Sequence, residues 1–299
     1  MSKTKVQRNY KDTIFRMLFK DKENLLSLYN ALNRTNYTDV DGLEITTLEN
    51  AVYMNYKNDV SFVFDYELMI YEHQSTMNLN MPLRDLFYVS DTLQKRTYDR
   101  NLYGSKLIRI PAPRFVVFYN GVAYQPEKQI LKLSDAYEKR QESPELELSV
   151  TVYNINRGNN KELMDACQTL REYALYVERV RIYAKQMPLV EAVEKAVDYC
   201  IETGILAEFL RKNRAEAIKV SIYEYDEELH FRTLKEEGRE EGFEQGVNLL
   251  NQLNSILIET DRLEDLKRAT KDKAYREQLM RELLPEAFYE TENKPFNYK

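Results

Sequence analysis

Across residues 58–74 the apolar side chains recur every second position, while the segments on either side follow a helical spacing. Val60, Phe62 and Phe64 alternate with Asp59, Ser61 and Val63, and Leu68, Ile70, Glu72 and Gln74 alternate with Met69, Tyr71 and His73. A period of two belongs to strands, so this stretch predicts a β-hairpin. A four-residue loop over 64–67 would set Ser61 opposite Ile70, Val63 opposite Leu68 and Asp59 opposite Glu72. Cross-strand partners point to one side of a sheet with Cβ atoms roughly 4.5–5.5 Å apart, so that register brings two acids together, with Gln74 on the same face. Two unpaired carboxylates at this distance repel, and a divalent cation removes the cost. All-oxygen ligands suit Mg²⁺ or Mn²⁺.

The rest of the chain frames this hairpin. Ile14, Leu18, Leu25, Leu28, Tyr29 and Leu32 predict one amphipathic helix over 11–33, with Asn33 near its stop. A strand is expected around 51–56. Pro82 opens a second helix whose inner face reads as Leu83, Leu86, Phe87 and Leu93, and whose outer face reads as Arg84, Tyr88, Asp91 and Lys95. Residues 114–119 form a short apolar run ended by Asn120-Gly121, the profile of a buried central strand. Leu146, Leu148, Val150 and Val152 alternate with polar residues as a strand with one wet face. The expected order is α-β-β-β-α-β-α-β, an α/β mixed sheet. Only helical signals follow residue 160, which places a boundary near Asn159-Asn160. The expected units are therefore 1–158 and an acidic helical region over 159–299, with a disordered tail after residue 290.

Composition narrows the function classes. Eight glycines and eight prolines in 299 residues disfavour turn-dense sandwiches and propellers. The glycines nowhere form a phosphate-cradling loop, which excludes Rossmann and P-loop sites. Cys167 and Cys200 stand alone and His73 and His230 are far apart, so neither a zinc finger nor a disulfide framework is expected. No run of about 18 apolar residues and no apolar leader occur, so the expectation is a soluble, cytoplasmic protein without membrane partners. The net charge of −6 conceals an asymmetry of +2 over 1–125 and −8 over 126–299. Lys95, Arg96, Arg100, Lys106, Arg109 and Arg114, interleaved with Tyr98 and Tyr103, make a basic stripe. It reads either as a track for a phosphate backbone or as a solvated helix and loop face.

Asn58-Asp59 followed by Glu72-His73-Gln74 resembles the PD-(D/E)XK nuclease motif. Asp12-Thr-Ile-Phe-Arg-Met-Leu-Phe, Asn58-Asp-Val-Ser-Phe, Glu72-His-Gln-Ser-Thr, Asn80-Met-Pro-Leu-Arg and Phe118-Tyr-Asn-Gly, taken in order, resemble one branch of it. That branch is the Rpn/YhgA-like recombination-promoting nuclease and transposase family. The likeness is detailed over residues 10–155, and the Glu-Gly-Arg-Glu-Glu-Gly run extends it loosely into the tail. It implies a restriction-endonuclease-like αβββαβ core that hydrolyses DNA with Mg²⁺ or Mn²⁺. Asp59 and Glu72 would be metal ligands, and Gln74 would stand in the place of the usual lysine. Asp12 is either an outer acid or a first-turn charge favoured by the helix dipole. Lys57, Lys95 and Lys106 are the candidates for the missing positive charge, and Lys95, Arg96, Arg100, Lys106 and Arg109 are the candidate DNA contacts.

Several features also have bland readings. Strand alternation puts His73 on the face opposite Glu72, which favours a packed core histidine over a catalytic base. Gly238, Gly242 and Gly246 repeat at helical spacing, at a cost of roughly 0.8–1 kcal/mol each relative to Ala. They fit either a self-association seam or a flexible connector. Two alternatives to an endonuclease stand beside it: a catalytically silent nuclease-fold module that binds DNA or a protein, and an interaction protein whose helical tail is the working part.

Overall fold

The computed structural model describes residues 13–47 and 59–285. Two short helices open it. Thr13 caps α1 (Ile14–Phe19) by accepting from the Arg16 backbone N–H at 3.1 Å, and Asp21 caps α2 (Lys22–Asn33) by accepting from Asn24 N at 3.0 Å. The single helix expected over 11–33 is therefore two, because a side chain that satisfies orphan N–H groups starts a new helix at Asp21. Arg34, in the left-handed region at φ 56°, ends α2. The two-residue strand β1 (Glu44–Ile45) follows. The strand expected around 51–56 lies outside the described residues.

Next come β2 (Val60–Phe64) and β3 (Glu67–Gln74), paired antiparallel with Ser61 opposite Ile70 and Val63 opposite Leu68. This is the register read from the alternation. The loop is tighter than expected: Phe64 pairs with Glu67, and Asp65 and Tyr66 turn the chain alone at φ 46° and 62°. Two residues at positive φ make the turn whose twist suits a hairpin. Asp tolerates that conformation, whereas Tyr66 stores about 1–2 kcal/mol of backbone strain there.

Helix α3 (Met81–Thr97) then crosses to β4 (Ala112–Tyr119), which lies parallel to β3 on one side and to β6 (Ser149–Asn154) on the other. Strand β5 (Lys128–Lys132) pairs antiparallel with β6 at the edge, giving the order β1-β2-β3-β4-β6-β5. The helix expected between β4 and the last strand is not there; β5 and a single 3-10 turn, Leu133–Ala136, occupy that stretch. Lys128 and Lys132 flank an exposed strand with charge, which blunts a free edge and removes the apolar signal of a strand. A Cβ on Gly121, just past β4, would collide with the Ser75 carbonyl and the Tyr119 ring, so only glycine lets these two strand ends approach so closely.

Each face of the sheet is covered. Phe62, Tyr71 and Phe118 pack with Phe15 of α1 on one side, and Leu68, Ile70, Val117 and Val150 pack under Met81, Tyr88 and Val89 of α3 on the other. Helix α3 presents the expected face only in part: Leu86 and Leu93 pack partly buried against the core, but Leu83 and Phe87 do not, and Tyr88, expected outside, turns in. Met81, Asp85, Tyr88, Val89 and Thr92 are buried, whereas Leu83 and Phe87 are each 39% exposed. Tyr88 is bonded by Arg84, its ring is buried, and Thr92 returns a hydroxyl to its carbonyl. A polar network facing the sheet thus outweighs the burial of two apolar side chains.

From Lys161 onward the described residues are helical: α4 (Lys161–Ala166), α5 (Gln168–Ala184), α6 (Leu189–Thr203), α7 (Ala207–Lys212) and α8 (Arg214–Glu259), then α9 (Leu263–Lys271) and α10 (Lys273–Leu283). The onset of helices agrees with the break read near Asn159-Asn160, but the compact unit does not end there. Residues of α4 to α8 share one core cluster with α1, α2 and the sheet, and the first unit runs to Glu228. The second unit, from Leu229, has its own small core of Leu253, Leu257, Ala269 and Leu279. Residues past 285, including the tail after 290, lie outside the described part. Among the described residues no helix is long and apolar enough to cross a membrane.

Candidate functional site

The carboxyl ends of the parallel strands β3, β4 and β6 lie at one edge of the sheet, and Glu72 and Gln74 sit at that end of β3. In open α/β sheets this is the edge where ligands bind. Asp59 immediately precedes β2, in the position opposite Glu72. Its backbone N–H donates to Glu72 Oε1 at 3.2 Å, and its own Oδ2 accepts from the His73 backbone N–H at 2.7 Å. Each acid thus spends one oxygen on the other strand's main chain, and the two are close enough for the Asp59 charge to act on Glu72.

Neither acid behaves as an ordinary surface carboxylate. Burial pushes the Glu72 pKa well above the usual range and the neighbouring Asp59 charge pushes it further, while Arg84 pulls it back. Burial also raises Asp59, against the opposing effects of the His73 N–H, Arg16 and Arg84. Only 4% of Glu72 is exposed. The pair is therefore a place where negative charge is costly and a cation is favoured.

Helix α3 supplies the groups that a count of apolar residues misses. Arg84 Nη2 lies 3.6 Å from Glu72 Oε2, and Arg84 Nε and Nη2 donate to Tyr88 Oη at 3.3 and 2.8 Å. Asp85 is 1% exposed, and its Oδ1 has no hydrogen-bond partner among the described residues. Burial raises its pKa to about 8, with Arg84 opposing. The available signal was the unbroken polar text Arg84-Asp85 inside a helix; its meaning depends on which way the helix is turned.

Gln74 is on the same face as Glu72, and its Oε1 accepts from the Asn78 backbone N–H at 3.3 Å, so the loop after β3 orients the amide. His73 points the other way, as strand alternation requires. Tyr173 Oη lies 3.0 Å from its Nε2, the Phe15 ring stacks on it at 5.5 Å, and burial, aided by the charge of Arg181, lowers its pKa to about 4. Asp12 and Lys57 lie outside the described residues.

The basic stripe is at the other end of the strands. β4 starts at Ala112 opposite Glu67, five residues before Glu72, which is roughly 17 Å at 3.3 Å per residue. Lys95 pairs with Asp91 and Arg96 with Glu44, each at 2.8 Å, Arg100 lies 3.7 Å from Asp99, and Arg114 pairs with Glu67 at 3.0 Å. Lys106 and Arg109 belong to the exposed segment between α3 and β4. The stripe therefore does not adjoin the acids, and four of its six charges have intramolecular partners.

Two carboxylates are the protein donors that could hold a cation here; among the described residues no group of three His, Cys, Asp or Glu side chains does so. A pair is enough for Mg²⁺, which keeps several waters and takes further oxygens from phosphate. A separate cleft of about 1220 Å³, lined by Leu26, Asn30, Tyr37, Lys128 and Glu162 among others, does not include the acids. Comparison with family models, with curated proteins and with solved structures gives no match.

Proposed function

We propose that the chain is a metal-dependent endodeoxyribonuclease with a restriction-endonuclease-like core, working in recombination or in the movement of mobile elements. The supporting observation is the crossed pair of Asp59 and Glu72 at the carboxyl end of β3, with Gln74 on the same face. Asp59 and Glu72 would hold Mg²⁺ or Mn²⁺, each with one oxygen already tethered by a backbone N–H. The bound cation would supply Lewis acidity toward a phosphate oxygen and a lower pKa for water beside it. Gln74, a neutral dipole, orients that water without adding charge. Burial raises the pKa of both acids, so protons and a cation compete for the pair and cation affinity should rise with pH. His73 takes no part in proton transfer, because it is on the far face.

The burial of Glu72 at 4% and Gln74 at 7% exposure favours a second reading, a nuclease-fold module that binds DNA or a protein without cutting. Supercoiled plasmid with Mg²⁺ or Mn²⁺ separates the two. The enzyme nicks it and loses that activity in Asp59→Ala and Glu72→Ala; the silent module retards DNA at low salt, cuts nothing, and is indifferent to both changes. The C-terminal helices are the proposed assembly surface: beyond the adjoining backbone of their own helix, no described atom lies within 4 Å of where a Cβ would stand at Gly238, Gly242 or Gly246, which leaves room for a second copy. Sedimentation velocity of the full chain and of a Gly242→Leu variant tests that.

A further inference from the structure

The proposed site has a glutamine where the broad motif has a lysine, so nothing on β3 offsets the negative charge that builds up on a phosphate under attack. Lys95 pairs with Asp91 near the far end of α3, and Lys106 is in the exposed segment between α3 and β4 with no described contact to Asp59 or Glu72. Arg16 influences Asp59 but is only 6% exposed. Arg84 differs in two respects. Its side chain is 27% exposed beside a Glu72 side chain that is 5% exposed, so of the two groups it is the one that reaches solvent. Its guanidinium is also already aimed, because Tyr88 Oη, on a buried ring, receives both Nε and Nη2.

The contact with Glu72 has the geometry of a place-holder. At 3.6 Å the two groups attract but do not form a closed hydrogen bond. We propose that Arg84 is the phosphate-binding cation of this site, neutralising Glu72 while the site is empty and turning its N–H groups to a non-bridging phosphodiester oxygen when a divalent cation takes over the carboxylates. This rests on the hydrolytic reading above. In the step it assists, a water oxygen bonds to phosphorus, the bond from phosphorus to the 3′ oxygen breaks, and its electron pair leaves with that oxygen. The attacking water loses a proton to solvent, and the leaving oxygen gains one from solvent, giving a 5′-phosphate and a 3′-hydroxyl. Arg84 touches the phosphate, where a planar fork of donors suits two oxygens, and neither gives nor takes a proton.

The test uses the full chain and three variants, Arg84→Lys, Arg84→Met and Arg84→Gln, with two readouts: nicking of supercoiled plasmid at saturating Mn²⁺, and Mn²⁺ binding without DNA, followed by electron paramagnetic resonance. A phosphate-binding Arg84 gives opposite signs. Arg84→Met loses about 100-fold or more in turnover yet binds Mn²⁺ more tightly, because a positive charge has left Glu72. Arg84→Lys, which keeps the charge but loses the planar fork, falls between the parent and Arg84→Met in turnover. If Arg84→Met does not fold, Arg84→Gln carries the comparison, since it can still donate to Tyr88 without charge. Turnover at the parent rate in Arg84→Met or Arg84→Gln overturns the inference, as does joint loss of Mn²⁺ binding and turnover, which marks a purely structural arginine. If the parent chain neither binds Mn²⁺ nor nicks DNA, the hydrolytic reading itself falls, and the role of Arg84 falls with it.

Discussion

Glu72 Oε1 accepts the backbone N–H of Asp59 at 3.2 Å, so the side chain of one acid holds the main chain of the other in place. Glu72→Gln keeps an oxygen for that bond while removing a charge that burial and Asp59 both disfavour. The variant should therefore be more stable than the parent at pH 8. If the proposed site holds Mn²⁺, the parent should melt higher with Mn²⁺ and the variant should not. Thermal scans with and without Mn²⁺ check both. A variant less stable than the parent, or still stabilised by Mn²⁺, contradicts the assignment of Glu72.

Asp85 makes the stability of the parent fall with rising pH. Its folded pKa of about 8 lies above the ordinary 3.8, so the folded state holds a proton that the unfolded chain gives up. Its favourable contribution is complete below pH 4 and is lost as pH climbs through 8. Asp85→Asn should match the parent near pH 4 and exceed it above pH 8, by up to about 5 kcal/mol for a shift of this size. Urea unfolding at pH 4, 6 and 8.5 measures the gap, which must widen upward.

His73 acts in the opposite direction. Its pKa is about 4 when folded, against 6.5 ordinarily, so the unfolded chain binds the proton first as pH falls. The stability due to neutral His73 is intact above pH 6.5 and disappears as pH drops toward 4, a loss of up to about 3 kcal/mol. The chain has two histidines, so a His230→Gln variant leaves one imidazole to follow by NMR. A midpoint above pH 5.5 would sink this prediction.

The orientation of α3 can be checked by substitutions that an apolar count would rank the other way. Phe87→Gln and Leu83→Gln, on the half-exposed face, should cost less than about 1 kcal/mol. Met81→Ala, on the buried face, should cost about 2–5 kcal/mol. Denaturant midpoints of the three variants decide it, and the reverse ranking would mean that α3 is turned about its axis.

What could be read from the residues was the local geometry. The alternation of Val60, Phe62 and Phe64 against Leu68 and Ile70 determined the hairpin register, because slipping one residue would turn every apolar side chain to the wrong face. The same alternation set Asp59 opposite Glu72 and sent His73 to the far side. The all-helical text after residue 160 was equally legible. What depended on packing was not. Met81, Asp85, Tyr88 and Val89 recur at helical spacing as well as Leu83 and Phe87 do, and on the buried face an arginine bonds a tyrosine beside an acid on another strand. Strand β5 carries little apolar signal because it is an exposed edge, and its pairing energy comes from β6, whose paired residues are 17 to 25 positions further along the chain. The basic stripe follows Glu72 closely in sequence but lies at the opposite end of the sheet, because α3 runs back along the strands before β4 begins. Side-chain alternation is set within a few residues by backbone geometry. Which helix face turns inward, and which charges end up beside the acids, is decided only when distant segments compete for the same buried surface.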